Sequence, residues 1–198
     1  MGKGVNLNNQ KINLKYSLMK NNLDMIPRVL NSKNIDKAIH DYNELLKGIP
    51  LELKSNDVLH FLQELKRGKL KNGPFPGISI FEAANRIMTD LTILYGVRDL
   101  LKGVVEEIKF DSYTVEFENE NRNDHDIMAD NSEQKLIGEA FNVAKSFFYT
   151  KKSSVLKKLK RSVKRDTILL LLFNEDALPE KYNTEKLENE FHLAVKIF

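Results

Sequence analysis

The chain has 198 residues, 41% hydrophobic and 30% charged, which is enough for one well-packed domain and excludes a wholly disordered protein. It contains no cysteine, so disulfides, thiolate-held zinc or iron–sulfur sites and thiol nucleophiles are ruled out. The formal net charge of +3 is only mildly basic, and a polyanion-binding surface would have to come from uneven distribution of charge.

The opening stretch MGKGVNLNNQKINLKYS lacks the apolar core of a signal peptide, and the longest apolar run, Ile168 to Phe173, is far too short to cross a bilayer. We therefore expect a cytoplasmic protein without a membrane partner. The Asn- and Lys-rich first thirty or so residues read as a loosely held arm or short helices. Ile35, Ile39, Tyr42, Leu45 and Leu46 have helical spacing and Gly48 lies just beyond them, which predicts a short amphipathic helix. A second helix should begin near Ser55 or Asn56, present Val58, Leu59, Leu62 and Leu65 on one face and stop at Gly68. Two prolines and two glycines between Asn72 and Gly77 then make a stiff connector. The expected organisation is a mainly helical N-terminal region over 1–72, a connector over 73–78 and a core over 79–198.

Ser79 and Glu82 have the spacing of a capping box, opening a long helix from Ile80 to about Leu101 whose stripe includes Ile80, Ala84, Ile87, Leu91 and Leu94. After Gly103 the period changes to two. In Tyr113 to Glu118 the residues Tyr113, Val115 and Phe117 share one face and Thr114, Glu116 and Glu118 the other, where Glu116 and Glu118 read as solvated positions or as part of a site on that face. Two further strands, about His125 to Asp130 and Lys135 to Phe141, complete an antiparallel meander. A basic helical segment follows, then a buried strand over Ile168 to Phe173 and a final short helix over about Thr184 to Lys196. The expected class is α/β (α+β).

A four-residue turn, Asn131 to Gln134, would set Asp130 opposite Lys135, Met128 opposite Ile137 and Asp126 opposite Glu139. Ile127, Ala129, Leu136, Gly138 and Ala140 then form the other face, all apolar or small. Two carboxylates across a ladder start about 4.5–5.5 Å apart, close enough to repel and to share a divalent cation. Hard oxygen ligands suit Mg²⁺, which keeps waters and substrate phosphate oxygens in its remaining positions. From Lys145 through Arg165 the chain carries no acid, and Lys151, Lys152, Lys157, Lys158, Lys160 and Arg161 are candidate contacts to a DNA backbone. His125 reads as a loop residue or as a base or phosphate contact, and Phe148 with Tyr149 as packing.

Helix, meander with Asp on its second strand and Glu on its third, helix, strand: this order over about Ser79 to Asp176 resembles the PD-(D/E)XK nuclease family, whose core is restriction-endonuclease-like. The resemblance implies Asp126 and Glu139 as metal ligands, Glu82 as an auxiliary acid, and a lysine that positions water. Phe141 stands where the family most often has that lysine, and His125 where it often has proline. Lys145 is the expected substitute, with Lys135 as another. The implied activity is Mg²⁺-dependent, restriction-type cleavage of DNA, with the N-terminal half available for recognition or for a homodimer. The alternatives are a catalytically degenerate nucleic-acid-binding or regulatory subunit, and an interaction module with no nucleic-acid role.

Overall fold

The computed structural model describes residues 22–50, 57–117, 120, 122–162, 166–182 and 188–198. The twofold alternation after Gly103 folds as an antiparallel meander of β2 (Ser112–Val115), β3 (Ile127–Asp130) and β4 (Lys135–Phe141). The pairs Asp130 with Lys135 and Met128 with Ile137 are the expected ones. The continuous apolar run becomes β5 (Thr167–Asn174), parallel to β4 and buried at every position, as a strand covered on both faces must be.

Two strands were not expected. β1 (Val29–Asn31) lies in the presumed helical arm and pairs antiparallel with β2, and β6 (Glu190–Val195) stands where a terminal helix was read. β6 is parallel to β5. Its Phe191, Leu193 and Val195 join one apolar cluster while Ala194 joins the other, a period of two that pairing with β5 turns into a strand. Residues 184–187 of the expected helix, its counterpart start at Ser55 or Asn56, and Glu118 lie outside the described residues. The result is an α+β protein with a six-stranded mixed sheet in which spatial order follows chain order.

Among the described residues four α-helices pack around this sheet: α1 (Ile35–Leu46), α2 (Val58–Arg67), α3 (Ile80–Leu101) and α4 (Phe148–Arg161). α1 and α3 share an apolar cluster with Ile127, Ala129, Leu136, Ala140, Ile168, Leu170 and Leu172. α4 covers the opposite face, where Phe148, Val155 and Leu159 meet Phe141, Leu169, Leu171 and Phe173. The first cluster takes residues from both sides of the 73–78 connector, from Leu23 and Tyr42 to Leu94. At Gly96 α3 approaches the sheet closely, since a Cβ there would stand 2.4 Å from a Leu172 methyl. α2 caps on Asp57, whose carboxylate accepts from Leu59 N–H, but its Val58, Leu59 and Leu62 are exposed. No helix among the described residues is long and apolar enough to cross a membrane.

α1 is tied to α3 inside the core by the Tyr42 hydroxyl, which donates to Asp90 Oδ2 at 2.7 Å. Burial, and then the Asp90 charge, hold the Tyr42 phenol well above its ordinary value. Burial likewise pushes Tyr113 up to about 12. Both groups keep their protons in the folded state at a pH where the unfolded chain has lost them. Their contribution is complete below pH ~10 and is lost as pH rises towards the folded values. Urea melts should show a stability loss of about 2 kcal/mol from Tyr113 alone between pH 10 and 12, and Tyr113→Phe should remove that part of the slope.

Candidate acidic site on the sheet

The register carries three acids into one row on the α4 face of the sheet. Ile127 pairs with Gly138, and Thr114 with Met128, so Asp126 lies level with Glu139 and Glu116 level with Asp126. The ladder of β3 and β4 closes at Ile127, and Asp126 sits one position beyond. There its carboxylate replaces a ladder bond by accepting from Ala140 N–H at 2.8 Å, while its carbonyl accepts from Glu116 N–H at 2.9 Å.

Glu139 is the centre of this row. It is buried, at 5% exposure, and Oε1 lies 2.7 Å from both His125 Nδ1 and Lys158 Nζ, with Lys158 donating to Oε2 at 2.8 Å. A carboxylate with so little water requires this compensation, because burying an unpaired charge costs several kcal/mol. His125 is itself buried, so the expected loop residue is an integral partner of Glu139. Glu116 is also buried rather than solvated. Its carboxylate accepts from the backbone N–H groups of Arg122 and Asn123, fastening the loop that leads to His125.

That loop has a second anchor. Arg28, just before β1, donates through Nε to Glu120 Oε2 at 2.8 Å and through Nη2 to Oε1, and its guanidinium lies 4.6 Å from the Phe117 ring centroid. Burial alone would raise the Glu120 pKa, but the Arg28 contacts prevail and hold it below the ordinary carboxylate value. The N-terminal strand thus steadies the approach to the site, a role invisible in its three-residue sequence.

The other expected site residues lie elsewhere. Lys145 opens the 3₁₀ turn before α4, and its amine is 3.6 Å from Glu180, not beside the Asp126 and Glu139 row. Glu82 is half-exposed in the first turn of α3, on the opposite side of the sheet, and its carboxylate pairs with Arg86. Ser79 does accept from Glu82 N–H at 3.2 Å, so half of the capping box forms. Lys135 pairs with Asp130 at 2.9 Å. The lysine that reaches the acidic row is Lys158, which the sequence reading placed among DNA-backbone contacts.

Lys158 occupies this place because Val155 and Leu159 are the buried positions of α4, and a residue three beyond one and next to the other stands at the edge of the packed face. Lys160 is likewise held inward, 3.1 Å from the buried Glu190 on β6. The basic run is therefore sorted by the helix into two inward-held amines and a surface set of Lys151, Lys152, Lys157 and Arg161. Because Lys158 is half-exposed, its pairing with Glu139 is screened. A double-mutant cycle of Lys158→Met with Glu139→Gln, read by urea melts, should give a coupling of about 1 kcal/mol.

Among the described residues no three His, Asp or Glu side chains gather closely enough to hold one ion. Asp126, just before β3, lies level with Glu139 on β4, Asp126 Oδ2 held by Ala140 N–H and Glu139 by His125 and by the Lys158 ammonium at 2.7 Å. Were both carboxylates to turn to one ion, the chemistry of the pair would suit Mg²⁺, which fills its remaining positions with water and phosphate oxygens, rather than Zn²⁺ or Ca²⁺, which take more protein ligands. Comparison with family models, with curated proteins and with solved structures gave no match for this chain.

Proposed function

We propose that the protein is a metal-dependent DNA phosphodiester hydrolase with a restriction-endonuclease-like core, its site built on Asp126, Glu139 and Lys158. The observation that carries this reading is the Lys158 amine at 2.7 Å from Glu139, on the sheet face that also bears Asp126. An acidic pair beside an ammonium is the chemistry that phosphodiester cleavage asks for. Asp126 and Glu139 would hold Mg²⁺, which when bound supplies positive charge against the phosphate under attack.

The chain's own groups have distinct tasks. Ala140 N–H orients Asp126, and His125 holds Glu139 from the side away from solvent. Lys158 has three donors, one of which bonds Glu139 Oε2 while the ammonium also lies beside Oε1. Its remaining capacity can orient an attacking water or a phosphate oxygen. Lys151, Lys152, Lys157 and Arg161 lie on the same helix, where they would neutralise backbone phosphates without reading sequence.

The test is nicking of supercoiled plasmid in Mg²⁺, Mn²⁺ or EDTA by the wild type, Asp126→Ala and Lys158→Met. We expect metal-dependent nicking that falls at least about a hundredfold in each variant. No nicking by the wild type with either metal, or nicking that survives Asp126→Ala, overturns the proposal. One observation favours a second reading: both Glu139 oxygens are engaged and the site is largely closed, which suits a non-catalytic nucleic-acid-binding subunit. Salt-dependent DNA binding without cleavage would be its signature.

A further inference from the structure

We infer that the outer face of α4 binds an unpaired nucleic-acid strand, with a base stacked on Tyr149. The inference rests on the nucleic-acid reading proposed above and names the form of nucleic acid the helix takes. Tyr149, Lys152, Ser153, Leu156, Lys157 and Lys160 line a shallow groove of about 330 Å³ along one side of the helix. Between Tyr149 and Lys160 it extends about 16 Å along the axis, at 1.5 Å per residue. The groove holds an aromatic ring at one end, an apolar floor at Leu156 and the ammonium groups of Lys152 and Lys157, with Lys160 paired to Glu190 at its far end.

The three neighbouring aromatics of this segment have different fates. Phe148 is fully buried against Phe141 and Phe173, whereas Phe147 and Tyr149 on either side of it are 64% and 58% exposed. Tyr149 meets the edge of Phe148 at a centroid separation of 5.5 Å, which fixes its ring while leaving it accessible. Beyond it, Lys152 lies 4.9 Å from the centroid of Tyr182, and Lys157 is exposed.

Phosphate contact alone needs only the lysines. A paired duplex keeps its base faces stacked on one another and offers an exposed tyrosine no partner. A single strand offers both parts: phosphates for the ammonium groups and a free π-face for the ring. The groove therefore matches an unpaired strand better than a duplex.

The test is fluorescence anisotropy in EDTA, over a salt titration, with three labelled probes of equal length: oligothymidylate, a duplex and a strand of abasic sites. Oligothymidylate should bind more tightly than either of the others. Tyr149→Ala should weaken oligothymidylate about tenfold and leave the abasic strand unchanged. Tyr149→Phe should retain binding, and Lys157→Gln should lower the salt slope by about 0.7. Phe147, exposed but outside the groove, is the control, and Phe147→Ala should leave affinity unaltered.

Equal affinity for duplex and oligothymidylate, or equal loss with Phe147→Ala and Tyr149→Ala, overturns the inference. If plasmid is still nicked in Mg²⁺ under either result, the hydrolase reading stands without it. Failure to bind any probe together with failure to nick overturns both. Because Tyr149 and Phe147 are exposed, thermal melts of their alanine variants should match the wild type, so a binding loss reads the surface and not the fold.

Discussion

Glu139→Gln is expected to reduce metal-dependent nicking roughly a thousandfold while leaving the protein folded, and Glu139→Ala to lose both activity and stability. The difference lies in what each substitution leaves beside His125 and Lys158. Glutamine keeps a carbonyl oxygen that can accept from one of them, so the cost should stay near about 1 kcal/mol. Alanine leaves the buried His125 facing a void without its 2.7 Å partner, whereas the half-exposed Lys158 can turn to water. The His125 term dominates, and the total should be about 2–4 kcal/mol in urea melts. If the glutamine variant nicks plasmid at the wild-type rate, Glu139 is a structural acid and the proposed site is wrong.

The same arrangement explains what could be read from the sequence. The alternation of Ile127, Ala129, Leu136, Gly138 and Ala140, with Asp130 and Lys135 as a complementary pair, specified the meander register because a slip by one residue would turn that whole set towards the other helix. The unbroken run Ile168 to Phe173 announced a strand buried on both faces. β6 had a usable signal in Phe191, Leu193 and Val195, but six residues flanked by charges are as compatible with a helix turn until β5 supplies a partner. β1, at three residues, carries no period at all.

The site was half legible for a related reason. Asp126 and Glu139 belong to one local hairpin, and hairpin register is a short-range property. Lys158 belongs to a helix 19 residues away from Glu139 in sequence, amid other lysines, and only the docking of α4 distinguishes it. The helical pattern of Phe148, Val155 and Leu159 held that information: it marks Lys158 as flanking the buried face and Lys157 as pointing away. Glu116 takes the face that alternation assigns it, but alternation does not show that a loop will fold over it and donate two backbone N–H groups, so its burial was not legible.

Phe141→Lys, which would place a lysine two residues after Glu139 as in the PD-(D/E)XK pattern that the sequence resembles, is expected to unfold the protein rather than improve cleavage. Phe141 is 1% exposed, stacked on Phe173 at 5.8 Å and edge-on to Phe148 at 5.9 Å, in the middle of the contact between α4 and the sheet. Removing the ring costs about 3–5 kcal/mol, and placing an ammonium among Phe148, Phe173 and Leu171 adds a desolvation penalty with no acid positioned to meet it but Glu139, already shared. Against a net stability on the order of 5–15 kcal/mol this is enough to leave little folded protein. Phe141→Leu, which keeps an apolar side chain, should lose only about 1–2 kcal/mol and nick normally. Circular dichroism and urea melts separate the two. A folded Phe141→Lys protein that cleaves faster than wild type would mean that the strand position, not α4, is the proper place for the amine. The expected result means the reverse: once an aromatic core occupies the strand position, the amine can reach Glu139 only from the helix that packs above it, and Lys158 is where that helix supplies one.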